Sequence, residues 1–341
     1  MGLVLSVRAI GFEGPILCLK RRPRPALTER FPQLCETVHL ALESAESLPD
    51  ALASRVGGEE TAILHTDERF LSAFADDTRF VGVPGAGDEV DTVLHRARFY
   101  DRLDRESLAP TPDTIPSHVN PRPVFGGVYR SRVWHTWRGL ERLPRGGVID
   151  SPAALERWRE TAREAGLSDD EWGFQAQLSA RPEDNISVCG WHDAGVRQYI
   201  VTRRRGVAAG LGWWVQRILD PARLLETTAR VLDAFEFEGP FELEFVRDPG
   251  DGVYRVIELN PRFWMQHRLA QILTDHALVR RALGMVATET VKEGPQHWLQ
   301  TDVVLRRPIR TSGLALRAVW AHPPAEAAGT LLRRTLWDRA R

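Results

Sequence analysis

Glu244, Glu258, Asn260 and Arg262 are the residues of this 341-residue chain whose types and spacing are best suited to chemistry. They lie in Phe241-Glu-Leu-Glu-Phe-Val-Arg-Asp248 and Val256-Ile-Glu-Leu-Asn-Pro-Arg262. A spacing of two is the strand period, which puts Glu258, Asn260 and Arg262 on one face, with Val256 ahead of them. Ile257 and Leu259 then point the other way. In the first segment Phe241, Leu243 and Phe245 share one face, and Glu242 and Glu244 the other. Pro249-Gly-Asp-Gly252 between the segments is a turn signal. The pair therefore reads as an antiparallel hairpin, with Glu244 opposite Glu258 and Glu242 opposite Asn260.

Like charges directly opposite one another destabilise a sheet. A cation between them would turn that cost into a binding site. Two carboxylates and an amide oxygen, with no His or Cys nearby, suit a hard ion such as magnesium, which completes its shell with water and phosphate oxygens. Arg262 on the same face would meet a phosphoryl or acyl-phosphate group. A merely solvated acidic hairpin face is the competing interpretation. Asn260, Arg262 and the aromatic pair Phe263-Trp264 weigh against it.

The run Glu258-Leu-Asn-Pro-Arg-Phe-Trp264, preceded by Phe241-Glu-Leu-Glu-Phe245, resembles the C-terminal signature of the ATP-grasp carboxylate–amine ligases. The resemblance spans residues 10–285. It implies an α/β chain with α+β subdomains, in which an N-terminal Rossmann-like domain precedes the ATP-grasp fold. It also implies ATP with magnesium or manganese, held by Glu244, Glu258 and Asn260. Arg96 and Arg130 lie near the positions where the family keeps two phosphate lysines, and Arg203 or Arg205 near a third basic position; with Arg262 these two form the expected catalytic set. Gln177 and Leu178 match the strand that pairs with adenine, and Glu183 or Asp184 the acid that takes the ribose hydroxyls. The family's usual hinge Glu is replaced here by Ala176 or Gln177. Its Asp-Lys pair ahead of the linker reads His95-Arg96.

The elements that must carry these residues are also legible. Residues 1–88 alternate helix-like and strand-like pieces, Leu3 to Ile10 as a helix, then strands at Ile16 to Leu19, Ala62 to His65 and Phe80 to Val83. This βα pattern predicts a small parallel sheet. The family's first domain opens on a strand, whereas this sequence opens on the helix, so that strand is either missing or upstream. Residues 90–106 have helical spacing, and Ser107 to Pro116, with three prolines, form an extended link. Strands are expected at Pro123 to Tyr129 and Gly146 to Ile149. A helix capped by Ser151 with Pro152 at its first position should end at Gly166. Arg130 to Arg145 is either a lid over phosphates or a surface loop anchored by tryptophans. Further strands are expected at Phe174 to Leu178, Ile186 to Gly190 and Gln198 to Val201, and an amphipathic helix opens at Asp220-Pro221. The expected division is 1–88, 89–180 for the linker helix and central subdomain, 181–290 for the subdomain with the metal site, and 291–341 as a C-terminal extension.

Composition narrows the function. A net charge of −1 gives no sign of a nucleic-acid or membrane partner. Three well-separated cysteines, Cys18, Cys35 and Cys189, form neither a disulfide framework nor a zinc spacing, which fits a cytoplasmic location. Lysine occurs only at Lys20 and Lys292, so the 45 basic residues are otherwise all arginine. Phosphate contacts usually made by lysine must here come from arginine, a larger planar fork. The expected activity is an ADP-forming ligase that joins a small carboxylate to an amine, amino acids among the candidates, through an acyl phosphate. A nucleotide-binding module without turnover and a small-molecule kinase are the alternatives.

Overall fold

A computed structural model describes residues 2–20, 32–39, 44, 46–57, 61–74, 77–81, 85, 89–121, 129–135, 137–138, 141–179, 181–208, 211–219, 221–300 and 318–320. The chain opens with α1 (Gly2–Ala9), followed by β1 (Leu17–Lys20) and β2 (Glu36–His39), which pair in parallel. After α2 (Leu48–Val56) come β3 (Thr61–Ala62), α3 (Leu71–Phe74) and β4 (Phe80–Val81), with β3 and β4 again parallel. The single N-terminal sheet expected from the sequence does not form among the described residues. There are two separate parallel pairs instead, and β2 was not foreseen. Strand residues 82 and 83 lie outside the described residues.

The periodic stretch 90–106 is two helices, α4 (Val90–Leu94) and α5 (Arg96–Arg105). The break is at His95, whose backbone is extended and whose Nδ1 accepts from the Arg98 amide at 3.4 Å. An N-cap side chain thus starts a second helix inside one hydrophobic pattern. The proline-rich link follows, and the Pro110 carbonyl accepts from the Val256 amide at 2.8 Å.

A four-stranded antiparallel sheet follows, in the order β5 (Thr114–Pro116), β10 (Trp172–Ala176), β6 (Tyr129–Val133), β9 (Val148–Ile149). Between β6 and β9 lies a short hairpin of β7 (Trp137–Arg138) and β8 (Glu141–Arg142). The strand expected at residues 123–128 lies outside the described residues, whereas Tyr129 pairs with Ile149. Helix α6 (Pro152–Glu164) covers this sheet. Ser151 Oγ accepts from the Ala154 amide at 3.2 Å, and Gly166, with φ +62°, turns the chain just beyond the helix end. Its buried stripe of Leu155, Trp158 and Ala162 packs on Trp172 and Phe174.

The largest sheet has seven strands in the order β15 (Tyr254–Asn260), β14 (Gly239–Arg247), β11 (Asn185–His192), β12 (Arg197–Ala208), β13 (Leu211–Ile218), β16 (His297–Leu299), β17 (Ala318–Trp320). All neighbours are antiparallel except β16 and β17. One face packs on α5 and α7 (Ala222–Ala234) through Phe99, Leu103, Val231 and Leu232. The other packs on α1, α8 (His267–Leu273) and α9 (Ala277–Ala282) through Val7, Leu269 and Leu278. Phe241, Leu243 and Phe245 are fully buried on the first face. Each contributes about 1.5–3 kcal/mol by burial. A one-residue slip of β14 would exchange them for Glu242 and Glu244, so this burial pins the register that positions the acids.

The register pairs Glu242 with Asn260 and Glu244 with Glu258, as the spacing predicts. A bulge follows, because Phe245 pairs with Val256 and leaves Ile257 as the extra residue. Val256 therefore joins the apolar face with Leu243 and Leu259, which corrects the expectation that it shares the face of Glu258. The C-terminal segment also adds to the fold, since β16 extends the sheet beside β13. No helix among the described residues is long and apolar enough to cross a membrane.

Candidate active site

Strand alternation and the bulged hairpin bring Glu242, Glu244, Glu258 and Asn260 onto one face of the seven-stranded sheet. The Arg96 guanidinium, at the start of α5, donates to Glu258 Oε2 through Nε at 3.1 Å and through Nη2. Arg204 on β12 donates Nη2 to Glu244 Oε2 at 2.5 Å. Arg262 donates Nη2 to Asn260 Oδ1 at 3.2 Å and Nε to Glu68 Oε2 at 2.5 Å. Glu68 belongs to the N-terminal part of the chain, between β3 and α3. Three elements far apart in sequence, α5, β12 and the turn of Glu68, thus converge on the hairpin.

These contacts set the charge of the acids. Burial works to raise the Glu258 pKa, but Arg96, by charge and hydrogen bond, with Arg132 and Arg204 beyond it, holds it at about 2. Burial also opposes the charge on Arg96, yet Glu258 beside it drives its pKa up. Glu244 is raised by burial and by Glu258 opposite, against the pull of Arg204. Glu242 is pushed up to about 7 by burial and by the Glu244 charge. Its Oε1 accepts from Gln266 Nε2 at 3.4 Å. Crowded carboxylates of raised pKa are what an added cation would relieve.

The donor set fits a magnesium ion. Glu244 and Glu258 face each other, the Asn260 amide oxygen lies on the same face, and all three are hard oxygen ligands. Among the described residues no three His, Cys, Asp or Glu side chains form a ready-made metal cage. Magnesium does not need one, because phosphates and water supply most of its shell.

The phosphate-side arginines differ in part from those expected. Arg96 stands on the face of the acids, in contact with Glu258. Arg203 and Arg205 do not share that placement. β12 continues through them, so alternation turns Arg204 toward Glu244 while its neighbours point away. Arg203 pairs in register with core residue Ile186, and the Arg205 guanidinium sits 5.7 Å from the centre of the Trp214 ring. The arginine of this strand that reaches the acids is therefore Arg204, one residue from either expected arginine. Arg130 lies on β6 opposite Gln175. Two residues on, Arg132 reaches closer to the acids: its Nε donates to Gln175 Oε1 at 3.1 Å, and its charge acts on Glu258. Gln175 Nε2 in turn donates to Tyr100 Oη at 3.0 Å, and Tyr100 Oη donates to the carbonyl of the bulged Ile257 at 2.5 Å. This chain of bonds ties β10, α5 and the β14–β15 hairpin together.

Gln177 and Leu178 fall just beyond β10 rather than within a strand. Gln177 Oε1 is buried without a hydrogen-bond partner. Asp184 is buried, and its carboxylate is occupied by Ser179 and by Arg181 Nε at 3.1 Å. It shapes the turn rather than facing outward. Glu183 beside it is exposed, which makes it the better placed of the two expected ribose acids.

A cleft of about 270 Å³ opens beside the acids, with Glu68, Asp91, Arg96, Trp137, Glu258 and Asn260 in its walls. It lies where the N-terminal part, the α4–α5 helices, the β7–β8 hairpin and β15 meet. Arg204, Arg132, Glu242 and Glu68 complete the site beyond the residues expected from sequence. Continued alternation along β12 is the signal that points to Arg204. Nothing local signals Glu68, which lies 194 residues from Arg262.

No family model and no curated protein matches this sequence. Solved structures do match its architecture. Pyruvate carboxylase of Rhizobium etli, with acetyl coenzyme-A, is 15% identical with a TM-score of 0.64. The match covers 86% of this chain but 29% of that one, so this chain spans under a third of that protein. The ADP complex of an N5-carboxyaminoimidazole ribonucleotide synthetase is 14% identical with a TM-score of 0.67, covering 92% of this chain and 82% of the other. The biotin carboxylase domain of Hydrogenobacter thermophilus 2-oxoglutarate carboxylase, with MgADP and bicarbonate, is 14% identical with a TM-score of 0.64, covering 86% and 70%. These neighbours are ATP-grasp carboxylate–amine ligases. By its architecture, this chain has the ATP-grasp fold.

Proposed function

We propose that this protein is an ADP-forming ligase that uses MgATP to activate a small carboxylate and passes it to an amine. The observation that carries this reading is the facing pair Glu244 and Glu258, with Asn260 on the same face and Arg96, Arg132, Arg204 and Arg262 around them. Phosphoryl transfer asks little covalent chemistry of a protein and relies on positioning and charge. Magnesium, held by Glu244, Glu258 and Asn260, would neutralise charge on the phosphates.

The side chains of this chain supply the rest. Arg96, Arg132 and Arg204 offer planar forks to phosphate oxygens. Gln177 and Leu178, beyond β10, would meet the adenine, and Glu183 the ribose. Arg262, bonded to the cleft residue Glu68, would hold the negative charge that builds on the acyl phosphate and on the tetrahedral centre formed by amine attack. The cleft beside it would take the carboxylate and the amine. Bicarbonate in one neighbour's complex and an aminoimidazole ribonucleotide in another's support small-molecule substrates.

Glu258→Gln tests the reading. It removes the carboxylate that faces Glu244 while keeping the side chain's shape. We expect ADP release to fall to background with an unchanged circular dichroism spectrum. Normal turnover by the folded variant would show that the metal site lies elsewhere.

A further inference from the structure

Each of the three oxygen donors assigned to the metal already accepts from a different arginine. Glu258 accepts two bonds from Arg96, Glu244 one from Arg204, and Asn260 Oδ1 one from Arg262. A divalent ion at these carboxylates and this amide would crowd the guanidinium groups already bonded to them. It would also bring its charge against three cations in a partly buried site, where like charges interact strongly. The Arg96 side chain is 19% exposed and that of Arg204 21%, so neither can simply release its acid into bulk water. A buried cation that loses its partner is strongly destabilising.

Nucleotide phosphates remove this obstacle. They offer the guanidiniums bidentate acceptors in exchange for the carboxylates. We infer that Arg96 and Arg204 cap the metal ligands and leave them for phosphate, so that metal and nucleotide bind with strong positive coupling and the metal alone binds poorly. This inference rests on the nucleotide-site reading above and adds the order of events at it. It also gives the arginine-for-lysine exchange a consequence. A fork can hold a carboxylate through two nitrogens at once, as Arg96 does, whereas an ammonium is a point charge that lets go more readily. Coupling is reciprocal, so nucleotide must favour metal by the same factor that metal favours nucleotide.

The test uses the full-length chain and two ligands measured separately. Mn2+ is titrated without nucleotide into wild type, Arg96→Gln and Arg204→Gln, following the free-ion signal by electron paramagnetic resonance. ADP is titrated by calorimetry into the same proteins, in chelator and then in saturating Mn2+. We expect weak Mn2+ binding by wild type, and about tenfold or more tighter binding by at least one variant, within the usual range of coupling. ADP should bind wild type about tenfold or more tighter with Mn2+ than in chelator, and that ratio should shrink in the same variant. Two variants on different elements, helix α5 and strand β12, guard against one failing to fold. Mn2+ affinity unchanged in both folded variants overturns the capping, even where ADP binds well. ADP binding to none of the proteins, with or without Mn2+, overturns the nucleotide reading and the coupling with it.

Discussion

Arg262 joins two parts of the molecule, donating Nε to Glu68 and Nη2 to Asn260. Its loss can therefore act through stability or through chemistry, and a pair of variants separates the two. Arg262→Ala removes the cation. If that cation holds charge developing in the transition state, ADP release per folded molecule should drop about a hundredfold or more, while MgATP binding in a calorimeter changes little. Glu68→Gln removes the same ion pair but keeps the cation, and should lower the melting temperature while sparing most turnover. Equal loss of turnover in both variants would make Arg262 a structural tie rather than a catalytic group. The positions of Glu244, Glu258 and Asn260 were legible because a period of two, with a phenylalanine-leucine face to bury, leaves a single register. The arginines were less so: ending β12 at Val201 leaves open which of residues 203–205 turns inward, and only the strand's continuation to Ala208 selects Arg204.

At the level of elements, local chemistry decided what periodicity could not. Val90, Val93, Leu94, Ala97 and Leu103 read as one helix, yet the His95 imidazole caps a new one. The cap needs a neutral acceptor nitrogen, and burial, with His135 and Arg98 nearby, holds the His95 pKa at about 4. His65, just after β3, is similarly lowered to about 4 by burial, against the opposing pull of Asp67. A histidine whose folded pKa lies below its unfolded 6.5 binds fewer protons when folded, so stability is full above pH 6.5 and is lost as pH falls toward 4. For the buried His65 that loss is on the order of 3 kcal/mol once the pH is below 4. His65→Phe keeps a ring beside Phe74, which it meets edge-on at 5.5 Å, and removes the titration. Chemical denaturation at pH 7 and pH 4.5 should show the variant losing less stability between the two than wild type. An identical loss would place the acid sensitivity elsewhere. The cap at Ser151, by contrast, was legible outright, because Ser-Pro before an apolar stripe has one local solution.

For the whole molecule, the order of parts along the chain was readable, but their meeting was not. The hairpin, the proline-rich link and the capped helix all carry local signals. The cleft does not, because its walls come from residues as far apart as Glu68 and Asn260. The seven-stranded sheet also contains β13 and β16, which the sequence did not announce. The Leu-Gly-Trp-Trp-Val-Gln-Arg-Ile run of β13 has little alternation, and three residues of β16 are too few for a pattern. What the assembled molecule adds is a cleft in which Arg96, the hairpin residues Glu258 and Asn260 and the N-terminal acid Glu68 lie together. The central claim is that this cleft joins a carboxylate to an amine at the expense of ATP. The most direct measurement is ADP release from MgATP, with small carboxylates, bicarbonate included, and small amines presented singly and in pairs. The account predicts a pair for which ADP appears only when both members and the metal are present, in step with the joined product. ADP release that needs one substrate alone and yields its phosphorylated form, or no release with any pair despite tight MgATP binding, would contradict it.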